Sequence, residues 1–465
     1  MKTEMGRYRW TICALLFFAT TVNYLDRQVL SLLQPMLSKE FGWSNSDYAD
    51  ITSVFQFAYG LAVLFAGRFI DRVGTKRGYA WAIAVWSVGA AIHAAVSGAG
   101  GVGAAVSPAL AAVGVAVPVS VAGFMVGRFV LAVGEAGNFP AAIKTVGEWF
   151  PRKERSLATG IFNSGANIGA VLAPLLVPWM AGLWGWQTAF LAVGAAGFVW
   201  LAFWLAFYDA PEKMLAKGKV GQAEYDRIAA DREPLEKADA EKPADGAEAK
   251  VSWFTLLKFR QTWAFFFGKF FTDGVWWFFL FWLPSFLKAQ YGMEGTEIMW
   301  PLGVLYSLTM VGSVCGGWFP AWFMKKGMEA YKARMTAMFV IALFPLAVLL
   351  TQTAGRRGMW FAILLIAIGC SAHQAWSANI YTTVSDMFPN GAVASITGIG
   401  TMAGSFSGVL VSKAAGALFD HYEKMGDVTV GYSIVFVYCA VAYLVAWCVM
   451  KSLVPRFAPV NVKLH

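Results

Sequence analysis

Residues 208–252 read YDAPEKMLAKGKVGQAEYDRIAADREPLEKADAEKPADGAEAKVS. Nineteen of these side chains are charged, mixed in sign among Ala, Gly and Pro, and the block holds no apolar run. So little apolar surface cannot build a core, and the block reads as a solvated, partly helical or disordered linker. On both sides of it the chain changes character. Apolar runs precede it at 9–34, 48–70, 77–97, 119–147, 155–180 and 187–207. Others follow at 260–288, 297–323, 334–351, 358–386, 394–419 and 430–451. Each is near the roughly 20 residues that a helix needs to cross about 30 Å of hydrocarbon. The pattern predicts an all-α membrane protein of twelve transmembrane helices. Two pseudo-symmetric six-helix halves, 1–207 and 253–465, flank the linker 208–252. Such halves place a small-ligand site between them, near the bilayer midplane.

Composition agrees. The 465 residues are 58% hydrophobic and 14% charged, whereas soluble domains carry about 25% charged residues. The 21 Trp and 37 Phe suit interfacial belts and cavity walls. A net charge of +9 does not mark a nucleic-acid partner here, because the cations cluster in short loops. Lys2, Arg7 and Arg9 precede the first span, and Arg72, Lys76 and Arg77 follow the second. Arg152, Lys153 and Arg155 follow the fourth, Lys325, Lys326, Lys332 and Arg334 the eighth, and Lys451, Arg456 and Lys463 the last. With alternating spans all fall on one side, so both termini are expected in the cytoplasm; Arg356 and Arg357 break the rule.

Other motifs exclude functions. The five cysteines are scattered without C-x-x-C spacing, so neither a zinc site nor a disulfide framework is expected, and no cofactor. No Walker A motif is present. Gly398, Gly400 and Gly404 miss the dinucleotide spacing and read as close helix packing. The first run lacks a small-residue cleavage site and holds Asp26 and Arg27, unlike a signal peptide. Segment 98–118, uncharged and broken by Pro108 and Pro118, reads as a long external loop or loose helix extensions, with a re-entrant segment as the alternative.

The informative residues are ionisable groups inside the runs: Asp26 and Arg27 in the first, Arg128 and Glu135 in the fourth, Lys269 and Asp273 in the seventh. Facing lipid, each would cost roughly 2.5–3.5 kcal/mol, and six on the order of 15–20 kcal/mol. They must face protein or an aqueous cavity. Arg128 and Glu135, seven apart, share a helix face about 10 Å apart, while Asp26 and Arg27 point about 100° apart. In a partly dry cavity a carboxylate keeps its proton more readily, and a guanidinium alongside reverses this. A ligand that changes the partner of Arg27 or Arg128 would link its own binding to a proton's. Cavity cations facing carboxylates suit an anionic substrate carried with protons; a structural ion pair is the alternative for Asp26 and Arg128.

The chain resembles the major facilitator superfamily. Gly67-Arg68-Phe69-Ile70-Asp71-Arg72-Val73-Gly74-Thr75-Lys76-Arg77 looks like its signature loop after the second helix. Asn23-Tyr24-Leu25-Asp26-Arg27, Arg128-Phe129 and Gly134-Glu135-Ala136-Gly137-Asn138-Phe139-Pro140 are similar to motifs of the anion:cation symporter group. That group includes bacterial hexuronate and galactonate transporters and vesicular glutamate transporters. Gly268 to Asp273, Trp276 to Pro284 and His373 to Asn379 look like its hexuronate branch. The resemblance implies proton coupling at Asp26 and Glu135, a substrate-carboxylate grip at Arg27, pairing of Arg128 with Asp26, and a gating loop at Asp71, Arg72 and Arg77. It implies a monomeric proton-coupled symporter importing a sugar acid, a hexuronate such as galacturonate or glucuronate, across a bacterial inner membrane. A symporter for a hexonate or aldarate, or a transporter-like sensor or exporter, is the alternative. An enzyme is not expected, since the spans hold no triad or metal-ligand constellation.

Further substrate contacts are expected from Tyr24, Tyr59 and Asn163, polar groups deep in the first half, and from Lys269 in the second. Trp376 and Asn379, one turn apart, would offer a sugar an aromatic face beside an amide, with plain helix packing as the alternative. His373 reads as a packed histidine, and Asp273 as a neutralising partner of Lys269 at i,i+4.

Overall fold

The computed structural model describes residues 7–96, 101–112, 114, 116–229 and 253–460, with no strand among them. In the first half, α1 (Tyr8–Phe41), α2 (Asn45–Val73) and α3 (Thr75–Ala94) are the first three spans. A short α4 (Val102–Ala112) follows. The fourth span is α5 (Val119–Glu135) continued by α6 (Asn138–Trp149); α7 (Arg152–Trp184) and α8 (Trp186–Phe207) complete the half. Short helices α9 (Pro211–Ala216), α10 (Gln222–Ala229) and α11 (Trp253–Leu256) lead onward. The second half comprises α12 (Arg260–Tyr291), α13 (Met299–Lys325), α14 (Ala330–Leu343), α15 (Thr351–Gly355), α16 (Met359–Met387), α17 (Asn390–Lys424) and α18 (Val428–Leu453). A 3-10 stretch, Phe344–Leu350, joins α14 to α15 in one span; Pro345 near its start has no N–H to continue the α ladder.

Among the described residues, nine spans are long and apolar enough to cross a membrane on composition alone. α1, α3 and α13 fill the other three positions. α1 buries Thr20, Thr21, Asn23, Asp26, Arg27 and Gln28. A span tolerates such side chains when they face protein rather than lipid. α7 lies directly on this helix: a Cβ at Gly165 or Gly169 would meet the Phe17 or Thr21 carbonyl oxygen at 2.4 Å. Small residues permit that approach.

Segment 98–118 departs from the expected loop. Val102–Ala112 is a helix that runs through Pro108, and it packs on the start of α5 so closely that a Cβ at Gly103 would lie 2.0 Å from the Val119 carbonyl oxygen. Its alanine-rich sequence favours helix, and Pro118 then sets the N-cap of α5. Residues 97–100, 113 and 115 lie outside the description.

The described part of 208–252 is docked, not merely solvated. Met214, Val220 and Ile228 are buried. Glu224 accepts the backbone N–H of Tyr8 (3.2 Å) and of Arg9 (3.0 Å), capping α1. Arg9 bonds Glu154 at 2.8 Å, and Arg227 also pairs with Glu154. Asp209 gathers Lys76 at 3.3 Å and Lys217 at 2.9 Å. Burial pushes the Asp209 carboxyl up, but bonds from Lys217, the Ala210 N–H and Lys76 outweigh it and hold it at about 2. Residues 230–252 lie outside the description.

The halves are tied at the end remote from Tyr8. Ser285 Oγ donates to Gln34 at 2.6 Å, and Lys288 Nζ to the Pro35 carbonyl at 3.0 Å. Asp420 on α17 accepts the N–H groups of Asn45 (2.8 Å) and Ser46 (3.0 Å) and the Ser46 hydroxyl. It therefore caps α2 across the interface. Asn45 Nδ2 also reaches Glu423 at 2.8 Å, and Lys413 pairs with Asp50. A charged cap contributes roughly 0.5–2 kcal/mol. Asp420→Ala should therefore loosen this end. The check is thiol labelling of a cysteine placed at Ser285 in a background without native cysteines, which should speed up severalfold.

Candidate substrate site

Arg27 is buried at mid-length of α1, and its Nε and Nη2 both donate to Glu135 Oε2, at 2.9 and 2.7 Å. Glu135 ends α5, and the short step through Ala136 and Gly137 starts α6. Four rings surround the guanidinium: Tyr59 at 4.8 Å, Tyr24 at 4.9 Å, and Phe55 and Trp277 at 5.6 Å. Trp277 comes from the second half, so the cage closes only when the halves meet. Each desolvated cation–π contact is worth roughly 0.5–2 kcal/mol.

Asp26 and Arg128 are both 1% exposed, yet they form no ion pair with each other. Arg128 Nη1 donates instead to the Arg27 carbonyl at 3.3 Å, and neither Asp26 oxygen has a hydrogen-bond partner. The pairing that the resemblance implies is thus replaced, in this conformation, by Arg27 with Glu135. Glu135 Oε1 and Arg128 Nε and Nη2 are also left without protein partners. Buried polar atoms are rarely left so, and water supplies what protein does not.

Between the halves lies a small polar cavity of about 60 Å³. Tyr24, Asn163 and Asn167 line it from the first half, and Trp276, Tyr306, Thr309 and Gln374 from the second. Ligand pockets usually measure roughly 300–1,000 Å³, so the cavity is constricted. A larger cavity, about 470 Å³, lies between α2, α3 and α5, but it is walled by Phe65, Phe69, Trp81 and Val133. Those side chains are exposed on the outer, lipid-facing surface, and the cavity offers no polar recognition.

Lys269 and Asp273 form a buried i,i+4 pair at 2.7 Å on α12, with Lys269 4.6 Å from the Tyr381 ring. Lys269 is seven residues before Trp276, about 10 Å along the helix. Gly404 leaves room for this pair, since a Cβ there would lie 2.1 Å from Asp273 Oδ2.

The structure thus brings Tyr24, Arg27, Tyr59 and Asn163 together, with Asp26, Arg128 and Glu135 beside them. Trp376 and Asn379 lie elsewhere. Trp376 is fully buried against Tyr443, and Asn379 Nδ2 bonds the carbonyls of Gly316 and Ala375, both at 2.8 Å. They do share one helix face, but it turns into the bundle; Gln374, about 200° from Trp376, takes the cavity side. His373 is packed, stacked on Trp276. Asp71 pairs with Lys144 at 2.9 Å inside its own half rather than with the loop cations, and Arg72 and Arg77 are exposed. α6 returns beside the end of α2, which puts Lys144 within reach. Sequence reading missed Asn167, Tyr306 and Thr309, and it quoted Trp276 and Gln374 within stretches of resemblance without giving them a site role. Asn163 and Asn167 at i,i+4 in an apolar run were a usable signal; Tyr306 and Thr309 blend into theirs.

Two six-span halves with a polar cavity between them and buried charges beside it define a multi-pass membrane transporter. The chain belongs to the Major Facilitator Superfamily, whose pattern matches residues 16–412, and it is a membrane transporter, not an enzyme. It is 31% identical over 456 residues to the hexuronate transporter of Escherichia coli (strain K12), covering 96% of this chain and 94% of that protein. It is 30% identical over 367 residues to the galacturonate transporter of Dickeya chrysanthemi, covering 79% and 95%. Its fold matches the crystal structure of a bacterial homologue of the human lysosomal transporter Spinster, in an inward-facing and occupied conformation. That match has TM-score 0.70 and 17% identity, covering 96% and 97%.

Gly404→Ala should displace Asp273 from Lys269. Overpacking costs typically about 1–3 kcal/mol, within what a twelve-span bundle withstands. The variant should be recovered folded but with transport reduced at least tenfold, measured in proteoliposomes of matched protein content.

Proposed function

We propose that this protein is a proton-coupled symporter that imports a sugar acid, a hexuronate such as galacturonate or glucuronate, across the bacterial inner membrane by alternating access. The observation that carries the proposal is the Arg27–Glu135 pair, caged by rings from both halves beside a polar cavity. The names borne by the hexuronate and galacturonate relatives support the substrate class.

The chemistry follows from competition for one guanidinium. Arg27 presents a planar fork that matches a carboxylate bidentately. While Glu135 is ionised it occupies the fork; once protonated, it releases Arg27 to the carboxylate of the substrate. Asp26, buried nearby without a partner, is a second proton site, and Arg128 biases both carboxylates. Tyr24, Tyr59 and Asn163 contact hydroxyls, and Lys269 supplies the positive charge of the second half. Asn379 acts through the seating of α16 on α13, and Trp376 through its packing on Tyr443 of α18. With both termini in the cytoplasm, the tied end is periplasmic, and the conformation is closed to the outside. Asp71, with Arg72 and Arg77, would act in the opposite gate.

Arg27→Lys keeps the charge but loses the fork. Each charge-assisted bond contributes roughly 1.5–3 kcal/mol, so the KM for labelled glucuronate should rise at least about tenfold; unchanged affinity sinks the assignment.

Glu135→Gln mimics the protonated state. In one vesicle preparation it should retain substrate exchange but lose accumulation driven by an acid exterior. Equal loss of both, in folded protein, would make Glu135 part of the binding site instead. In the unmodified protein a protonophore should abolish accumulation, whereas accumulation driven by sodium alone at fixed pH would refute proton coupling.

A further inference from the structure

We propose that Trp276, held flat by His373, is a stacking platform for a sugar ring and makes the site favour cyclic acids over open-chain ones. This deepens the sugar-acid reading above and rests on it.

Trp276 is half-buried and lines the polar cavity from the second half. One face of its indole is covered. The His373 imidazole lies parallel to it, with centroids 5.0 Å apart and 9° between the planes. No other aromatic ring packs on Trp276 among the described residues, and the side chain lines the cavity. His373 is buried on α16, and its Nδ1 lies 2.9 Å from the Tyr443 hydroxyl of α18. The imidazole is therefore pinned between two helices, and it fixes the plane of the indole on a third. The same short stretch of α16 supplies both support and recognition, since the next residue, Gln374, faces the cavity.

Around the same cavity stand neutral groups: the amides of Asn163, Asn167 and Gln374 and the hydroxyls of Tyr24 and Thr309. A flat apolar ring beside neutral donors and acceptors suits a pyranose, which presents a C–H face and a rim of hydroxyls. A hexuronate is a pyranose with one carboxylate, and that carboxylate has Arg27, one turn beyond Tyr24, as its partner. Aldonates carry one carboxylate and a similar set of hydroxyls on an open chain, and aldarates add a second carboxylate; neither has a flat face to lay on the indole. The difference in stacking then becomes a difference in affinity. Trp276 is the specificity-determining contact in this arrangement, and His373 is a positioning residue that acts through it.

The test uses the full-length protein in proteoliposomes. The KM for labelled glucuronate is compared with the inhibition constants of unlabelled galacturonate, galactonate and galactarate. The unmodified protein should bind the two cyclic acids more tightly than the open-chain ones. Trp276→Leu should raise the glucuronate KM roughly five- to tenfold, with the open-chain constants and the maximal rate within about twofold. His373→Ala should shift the same ratio in the same direction. His373→Phe keeps a ring against the indole and loses only the Tyr443 bond, so it should restore most of the selectivity. A merely structural role would lower the maximal rate for all substrates alike and leave the ratio unmoved. If Trp276→Leu does not fold, the His373 pair decides the matter. Equal weakening of cyclic and open-chain acids, or an unmodified protein that does not prefer cyclic acids, overturns the platform while leaving sugar-acid transport standing. An unmodified protein that carries none of these acids overturns the substrate reading itself.

Discussion

A guanidinium buried at the centre of a membrane bundle has to be partnered, and most of this structure can be traced to how Arg27 is satisfied. Removing one member of a buried ion pair typically costs about 3–5 kcal/mol, because the other charge is stranded. Arg27 has one such partner, Glu135, and four ring faces. Glu135 can reach it because α5 stops there and the chain steps into α6. Tyr24 is held in place by α7, whose Gly169 leaves no room for a Cβ beside it. Trp277 completes the cage from the other half. On the function proposed above, an anionic substrate would meet a cation already desolvated and already oriented, and only its counter-ion would have to change.

The two ends of the bundle use the same device for opposite purposes. A carboxylate that accepts the first N–H groups of a helix is stabilised by unsatisfied donors and by the helix dipole. At the end remote from the termini the carboxylate is Asp420, and the helix it caps, α2, belongs to the other half. Near the termini it is Glu224, which caps α1 and is further tied through Arg9 and Glu154 within the first half. A rocking motion of the halves would break the former and carry the latter along intact. Among the described residues, the contacts across the halves are individually modest: a cap, amide, hydroxyl and ammonium bonds, a cation–π contact and a Lys–Asp pair. Individually modest contacts are what a reversible interface between two states requires.

The sequence is most legible where physics is least forgiving. Charges in apolar runs are expensive in lipid, so Asp26, Arg27, Arg128, Glu135, Lys269 and Asp273 stood out without any coordinates. Spacing settled the Lys269–Asp273 pair, because i,i+4 leaves little choice. Which carboxylate Arg27 takes was not legible, because helix phase turns Asp26 about 100° away from it and the approach of Glu135 depends on how α1 and α5 cross. The cavity face of α16 was misjudged for a related reason: Trp376 and Asn379 do share a surface, but nothing in their spacing says which neighbour that surface meets. The helix at Val102–Ala112 was hidden by Pro108, a breaker that the flanking alanines and the packing against α5 override.

The unsatisfied atoms around Arg27 have a consequence for coupling. Asp26, Asn23, Arg128 Nε and Nη2, and Glu135 Oε1 lack protein partners although all are buried, which marks a region where the bonding pattern is under-determined. A fully satisfied network would hold one arrangement, and a change of partner would then cost every bond it broke. In the coupling proposed above, Arg27 would leave Glu135, and Arg128 would turn from a backbone carbonyl to Asp26, with few bonds lost. Such near-degenerate pairings let a single proton or a single carboxylate tip the balance, since a ligand moves an equilibrium only by its differential affinity for the two states. For the proton coupling proposed above, the looseness around Arg27 would be a condition, and the cage of rings would keep that looseness from becoming disorder.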